Sequence, residues 1–356
     1  MKINKLQKYL SKNDIDCIFF SNIFNKDKRI YSLVNLNVDY SFLIIPKKGN
    51  LNCFVSKMEY SFAKKNIKNS KLLCFNQNLF LEIFNLLKNK KLTKIMIDFK
   101  KISLFELNKL KKYFKKTKFL DFPNEVNLIL SIKDNDEITK IKKACKITDL
   151  ILNDFINNIK NFKTEKCAKA FLLKKIYDNN CKPSFDIIIA SSINSSFPHY
   201  SKLNSKIKNG FLLIDFGVDY LGYKSDISRT FYIGKPNKFE LEMYNLVLNT
   251  QINSIKMIKD NIKSSDIDNF TRKSLGKYSK NFIHALGHGV GVNIHECPSI
   301  NSSSKDILYE NMTIAIEPGI YFENKFGVRI EDTILVKKNK CIVLTKTKKE
   351  LIIIDK

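Results

Sequence analysis

Three of the four histidines in this 356-residue chain fall within thirteen residues, in HALGHGVGVNIHE at 284–296. Imidazole titrates near neutrality, so it can ligate a metal as the neutral ring or carry a proton as the charged one. The same stretch holds Gly287, Gly289 and Gly291, each about 1 kcal/mol worse than alanine in a helix, so extended chain is the better reading. Glycine at every second position bares one side of a strand and lets another backbone or a ligand come close. His288 and His295 are seven residues apart, and a regular strand would turn them to opposite faces. They share one job only if the chain bends between them.

Carboxylates recur at matching places. GFLLIDFGVDYLGYKSDISRTFYIG, at 210–234, has apolar runs flanking a polar centre that contains glycine, the pattern of a β-hairpin. With the hairpin centred between Tyr220 and Leu221, Asp215 and Asp226 face each other across the ladder, their Cβ atoms about 5 Å apart. Two carboxylates so close repel unless a cation or a shared proton lies between them. One aspartate alone reads as a hydrogen-bonded structural acid, but the matched pair favours metal binding. TIAIEPGIYF places Glu317 after an apolar run and before a proline that keeps it extended. FGVRIEDTILV places Glu331 inside a strand, on the same face as Arg329, which can orient it. Either acid could form a surface ion pair, yet both lie in apolar strands where an unpaired carboxylate is costly.

The elements that must hold these residues divide the chain in two, a length that lets each part bury its own core. Of the eleven glycines only Gly49 precedes Gly210. Residues 1 to about 120 alternate short helices and strands: LQKYLSKN helical, DCIFF a strand, YSFLIIP and LNCFVS a strand pair, MEYSFAKKN helical, KIMIDF a strand, and LFELNKLKKYF an amphipathic helix. DFPNEVNLIL, at 121–130, contains a proline and starts no clear period, and the joint is placed there. NDEITKIKKACKITDLILNDFINNI then reads as a long helix with Asp134 or Asn135 as its cap.

A formal charge of +27 invites a nucleic-acid reading. Only four of the 62 basic residues are arginine, however, and the bidentate guanidinium serves base and phosphate recognition best. The lysines are spread along the chain, and their densest run, KKYFKKTK at 111–118, reads as a solvated helix face. No specific nucleic-acid partner is expected. A membrane is not expected either, because no apolar run reaches spanning length and MKINKLQKYLSKNDIDCIFF lacks the uninterrupted core of a signal peptide. The eight cysteines form no close pair, which fits reduced thiols in a cytoplasmic protein.

DFGVDYLGYKSDISRTF, HALGHGVGVNIHE, IEPGIYF and GVRIED, in that order, resemble the pita-bread metallopeptidase family over residues 131–356. The preceding α/β domain resembles the N-terminal domain of the creatinase, Xaa-Pro dipeptidase and aminopeptidase P branch. PSFDIIIASSINSSFPHY, at 183–200, resembles the segment that carries an active-site histidine in proline-specific members, here His199. Where many relatives carry an arginine shortly before a lysine, this chain reads LILSIKDNDE.

The resemblance implies a creatinase-type α/β N-terminal domain at 1–125 and an α+β pita-bread catalytic domain at 126–356. It implies five metal ligands, Asp215, Asp226, His288, Glu317 and Glu331. Asp226 and Glu331 would bridge two divalent ions, Asp215 would complete one shell, and His288 with Glu317 the other. So oxygen-rich a set suits Mn²⁺, with Co²⁺ or Zn²⁺ as alternatives, and a hydroxide between the ions as nucleophile. His199, His284, His295 and Arg329 would meet the substrate, and His199, His295 and Glu317 would move protons or stabilise the oxyanion. The implied activity is hydrolysis of the Xaa-Pro bond of dipeptides or short peptides by a homodimer. Creatinase-like amidinohydrolysis and a non-catalytic binding protein are the other readings.

Overall fold

Apolar alternation in the first third of the chain builds one sheet with a core on each face. Residues 2–76, 78–202 and 205–355 are described by a computed structural model, in which the chain forms two compact units, Met1–Leu130 and Ser131–Lys356. The first holds a six-stranded sheet in the order Ser70–Phe75, Leu51–Ser56, Ser41–Pro46, Cys17–Ser21, Lys94–Ile97, Lys118–Leu120. Cys17, Phe19, Phe42, Ile44, Phe54, Ile95 and Ile97 pack on one face with Ile83, Leu87 and Leu110 from helices. Ile18, Phe20, Leu43, Ile45, Cys53, Val55 and Met96 pack on the other, with Leu6 and Leu10. The period of two along each strand produces this division.

Two expectations for this unit change. DFPNEVNLIL holds all but the last residue of the helix Asn124–Ser131, which Pro123 opens: its carbonyl accepts from Val126 N at 3.1 Å, and its fixed φ suits a helix start. Val126 and Leu130 of that helix pack in the first core, and the first unit ends at Leu130. KKYFKKTK is no single helix face. The helix Leu104–Tyr113 ends within it, Phe114 is buried, and Lys118 begins a strand.

In the second unit the long helix Asn135–Asn158 starts at Asp134, which forms a capping box with Glu137. Its Ile147, Ile151 and Phe155 pack with Leu172 and Ile176 against Leu212, Ile214, Phe216, Ile227, Phe231 and Ile233 of a four-stranded sheet. That sheet runs Ile353–Ile354, Ile227–Ile233, Gly210–Phe216, Ile188–Ser191; a five-stranded one runs Glu296–Ile300, Gly287–Gly289, Thr313–Ile316, Asp332–Val336, Cys341–Val343. Gly319–Phe322 pairs with Phe326–Arg329 as a separate ribbon. Among the described residues no helix is long and apolar enough to cross a membrane.

Candidate active site

Asp215 stands on the face of its strand opposite Leu212, Ile214 and Phe216, and its partner across the ladder is Ser228, not Asp226. The turn accounts for the difference. Leu221 (φ 50°) and Gly222 (φ 84°) both occupy the positive-φ region that the two central residues of a type I′ hairpin require. The hairpin is therefore centred between Leu221 and Gly222, with Tyr220 opposite Tyr223. Asp226 lies two residues before Ser228, so it is a diagonal neighbour of Asp215 rather than the residue directly across. Its backbone is fixed by Thr333, whose hydroxyl accepts from Asp226 N at 3.0 Å and donates to Asp226 O at 2.8 Å.

Glu331 does not lie inside a strand. It occupies the break between Phe326–Arg329 and Asp332–Val336, where its N–H donates to Ser228 O at 3.1 Å and its Oε2 accepts from Ser228 Oγ at 2.8 Å. Glu317 sits in a similar break, between Thr313–Ile316 and Gly319–Phe322, with its N–H on Leu286 O at 2.9 Å. His288 belongs to the strand Gly287–Gly289, opposite Ala315. Its Nδ1 is 3.1 Å from Gly289 O; a carbonyl can only accept, so Nδ1 carries the proton and Nε2 offers a lone pair. Nε2 is 3.6 Å from both Asp226 Oδ2 and Glu317 Oε1. Asp226, His288 and Glu331 bring potential ligand atoms within 4.8 Å of one another.

The electrostatics call for a cation. Burial, then Glu331, Asp215 and Glu317, push the Asp226 carboxyl far above its ordinary range. Burial, then Glu317 and Asp215, do the same to Glu331. Burial raises Glu317 to about 8, with Arg329 opposing and Asp215 adding. Asp215 Oδ1, Asp226 Oδ1 and Glu331 Oε1 are buried without a hydrogen-bond partner among the described residues. Unfilled carboxylate lone pairs facing one another beside a neutral imidazole nitrogen fit divalent ions.

The histidines divide by exposure. His284 is held near 3 by burial and then Arg329, and His288 near 4 by burial and then His295. His199 and His295 are exposed, and burial also lowers His295, with Asp215 opposing and His199 adding. The chain bends between His288 and His295, whose rings meet edge to face with centroids 4.3 Å apart.

The model of metallopeptidase family M24 matches residues 139–338. The chain belongs to that family. It is 35% identical to an Xaa-Pro dipeptidase of Pyrococcus furiosus over 99% of each chain. It is similar in structure to the prolidase from Pyrococcus horikoshii, with a TM-score of 0.90, 32% identity and 99% of each chain covered. An X-Pro aminopeptidase from Thermotoga maritima gives a TM-score of 0.86 at 27% identity, with 96% of this chain and 98% of that one covered. The fold is accordingly the pita-bread fold, and this M24 protein is a metallopeptidase with a candidate site for divalent ions.

Within the M24 site Arg329 does not pair with Glu331. Its Nη2 donates to Asp215 Oδ2 at 2.6 Å, Nε to Ser228 Oγ at 2.8 Å, and Nη1 to Tyr321 OH at 2.7 Å and Pro198 O at 3.3 Å. Among the described residues its hydrogen-bonded link to Glu331 runs through the Ser228 hydroxyl. Tyr321 was not among the expected site residues. Its hydroxyl, 3.1 Å from His284 Nε2, donates there because His284 Nδ1 gives its proton to Ala285 O at 2.8 Å. A signal was present in the sequence: Tyr321 stands opposite Gly327, and a Cβ at Gly327 would press on the tyrosine ring. The alternating glycines of the histidine segment make room for protein. Side chains at Gly287, Gly289 and Gly291 would collide with Ala315 O, Cys297 O and the Glu296 carboxylate.

Proposed function

We propose that this M24 protein is an Xaa-Pro dipeptidase working with two divalent ions, Mn²⁺ before Co²⁺ or Zn²⁺. The observation that carries the proposal is the buried acid cluster around His288 Nε2, with three carboxylate oxygens unfilled. The full-length likeness to a protein named Xaa-Pro dipeptidase supports the substrate. Asp215, Asp226, His288, Glu317 and Glu331 would hold the ions. When bound, the ions supply Lewis-acid activation of water and of the scissile carbonyl.

The chain's own groups do the rest. Arg329, through Asp215, Ser228 and Tyr321, keeps the acids in place. Glu317 takes the proton that hydrolysis releases from water. His295 hydrogen-bonds the developing oxyanion, and His199 delivers a proton to the departing imide nitrogen. Proline at the second substrate position has no amide hydrogen and a fixed φ, so a site can select it with a fitted apolar wall and needs no acceptor. A homodimer follows from the family resemblance, and the eight unbonded cysteines support a cytoplasmic location.

With Mn²⁺ present, Ala-Pro should be cleaved faster than Ala-Pro-Ala, Ala-Ala or creatine, and chelation should abolish turnover. Elemental analysis should return two ions per chain. His199→Ala should lower kcat by roughly 10²- to 10⁴-fold with metal content unchanged. Equal turnover of Ala-Ala and Ala-Pro removes the proline claim. Full activity without a transition metal removes the metallopeptidase reading.

A further inference from the structure

The bend that returns His295 to His288 is closed by a buried ion pair outside the acid cluster. Ile132 bridges Met312, and Lys133 N donates to Asn311 O at 2.9 Å, so the Lys133 side chain leaves from a fixed point. That side chain is 2% exposed, and its ammonium donates to Ser131 O at 2.5 Å and Glu296 Oε1 at 2.6 Å. The Glu296 carboxylate folds back over Gly291, where any Cβ would strike it, and its Oε2 accepts from Asn293 N at 3.4 Å. Gly291 is fastened from its other side, its carbonyl accepting from Lys224 N at 2.9 Å. The residue that closes this bend is the immediate neighbour of His295.

We propose that Lys133 is a positioning residue for His295. Its buried ammonium fixes Glu296, Glu296 closes the bend over Gly291, and the bend holds the His295 ring against His288 with its outer edge open to substrate. The proposal rests on the peptidase reading for what His295 does there. Without the ammonium, the Glu296 carboxylate, at 16% exposure, turns toward water, because a buried charge stripped of its partner is unfavourable. The bend then loses its clasp. LILSIKDNDE had no assigned role for its lysine, and the ion pair supplies one.

The test compares Lys133→Met, Glu296→Gln, the double variant and Lys133→Arg in the full-length Mn²⁺-loaded protein with Ala-Pro. Lys133→Met and Glu296→Gln should each lower kcat by roughly 10- to 100-fold, the usual effect of losing a group that orients a site residue, with KM and metal content little changed. The double variant should be no worse than either single one, because the first change already breaks the link. Lys133→Arg, which keeps the charge, should recover most of the rate. Each single charge-removing change leaves the other charge of the pair without its partner, so where one of them fails to fold, the double variant and Lys133→Arg, which leave no unpaired charge, keep the test readable. In the metal-free proteins, amides of residues 290–296 should exchange faster in Glu296→Gln than in wild type, while those of Thr313–Ile316 should not. Losses that multiply in the double variant, or wild-type exchange in the bend, overturn the proposal. A wild-type enzyme that cleaves no Xaa-Pro peptide overturns the functional reading instead, and the exchange comparison still decides whether Lys133 holds the bend.

Discussion

Glu331 and Asp332 are neighbours in sequence and both are buried, yet their charges are treated in opposite ways. Asp332 Oδ1 accepts from Arg229 Nη2 and Thr345 Oγ1, each at 2.8 Å, and its Oδ2 from Gln251 Nε2 and Lys349 Nζ, each at 2.8 Å. Burial pushes its carboxyl up, but Arg229 and Lys349 outweigh that and hold it below its ordinary range. Glu331 has the Ser228 hydroxyl on one oxygen and nothing on the other among the described residues, and burial with Glu317 and Asp215 drives it up. A buried carboxylate with filled lone pairs is scaffold, and one that faces other acids is a place for a cation. Arg229 serves both, since its Nη1 also donates to Glu331 O at 2.5 Å and so fixes the backbone of the unfilled acid.

The contrast can be broken hardest from the unfilled side. Asp226→Asn removes a charge from the cluster and should cost kcat/KM more than the roughly 100-fold ceiling typical of groups behind the ligands, with metal lost on dialysis and folding intact by circular dichroism. Wild-type turnover in that variant would remove Asp226 from the metal site. On the filled side, Asp332→Asn leaves Arg229 buried without its carboxylate and should destabilise by about 3–5 kcal/mol, read from urea unfolding. Each molecule still folded should bind its ions, and a variant as stable as wild type would deny Asp332 its scaffold role.

Titration sharpens the comparison further. In metal-free protein Glu317 titrates at about 8, against 4.5 for an unperturbed glutamate. The unfolded chain therefore ionises first, and the stability linked to this group is full below about 4.5 and is lost as pH rises to about 8. Urea midpoints of chelated protein should fall across that window, and Mn²⁺ should abolish the fall. A midpoint that rises with pH in chelated protein would mean that the acids are already compensated.

What could be read from residues alone was whatever is local. Asp134 capped the long helix as its position before NDEITK suggests, and the β-hairpin, the bend and the glycine spacing all lie in short stretches. Register was less legible, because it depends on which two residues take positive φ, and Leu221 is not a residue that advertises it. The partner of Arg329 was misread for a related reason. Strand parity links Arg329 to Glu331, but the strand stops at Arg329, and Asp215 approaches from another sheet. In the first unit the strand Ser70–Phe75 and the helix Leu79–Leu87 went unread. The strand pairs in parallel at a sheet edge with a mostly half-buried side-chain row, and such a row carries little of the alternation that marks a strand.

The wall behind His288 also determines where this enzyme can diverge. Carbonyls of Ala315 and Cys297 stand where side chains at Gly287 and Gly289 would go, so even alanine is shut out there. The lip of the site varies at lower cost, since Phe197, two residues before His199, is 50% exposed and exposed positions tolerate substitution. A lineage adapting to new peptides would rewrite the lip many times and leave the wall as it stands.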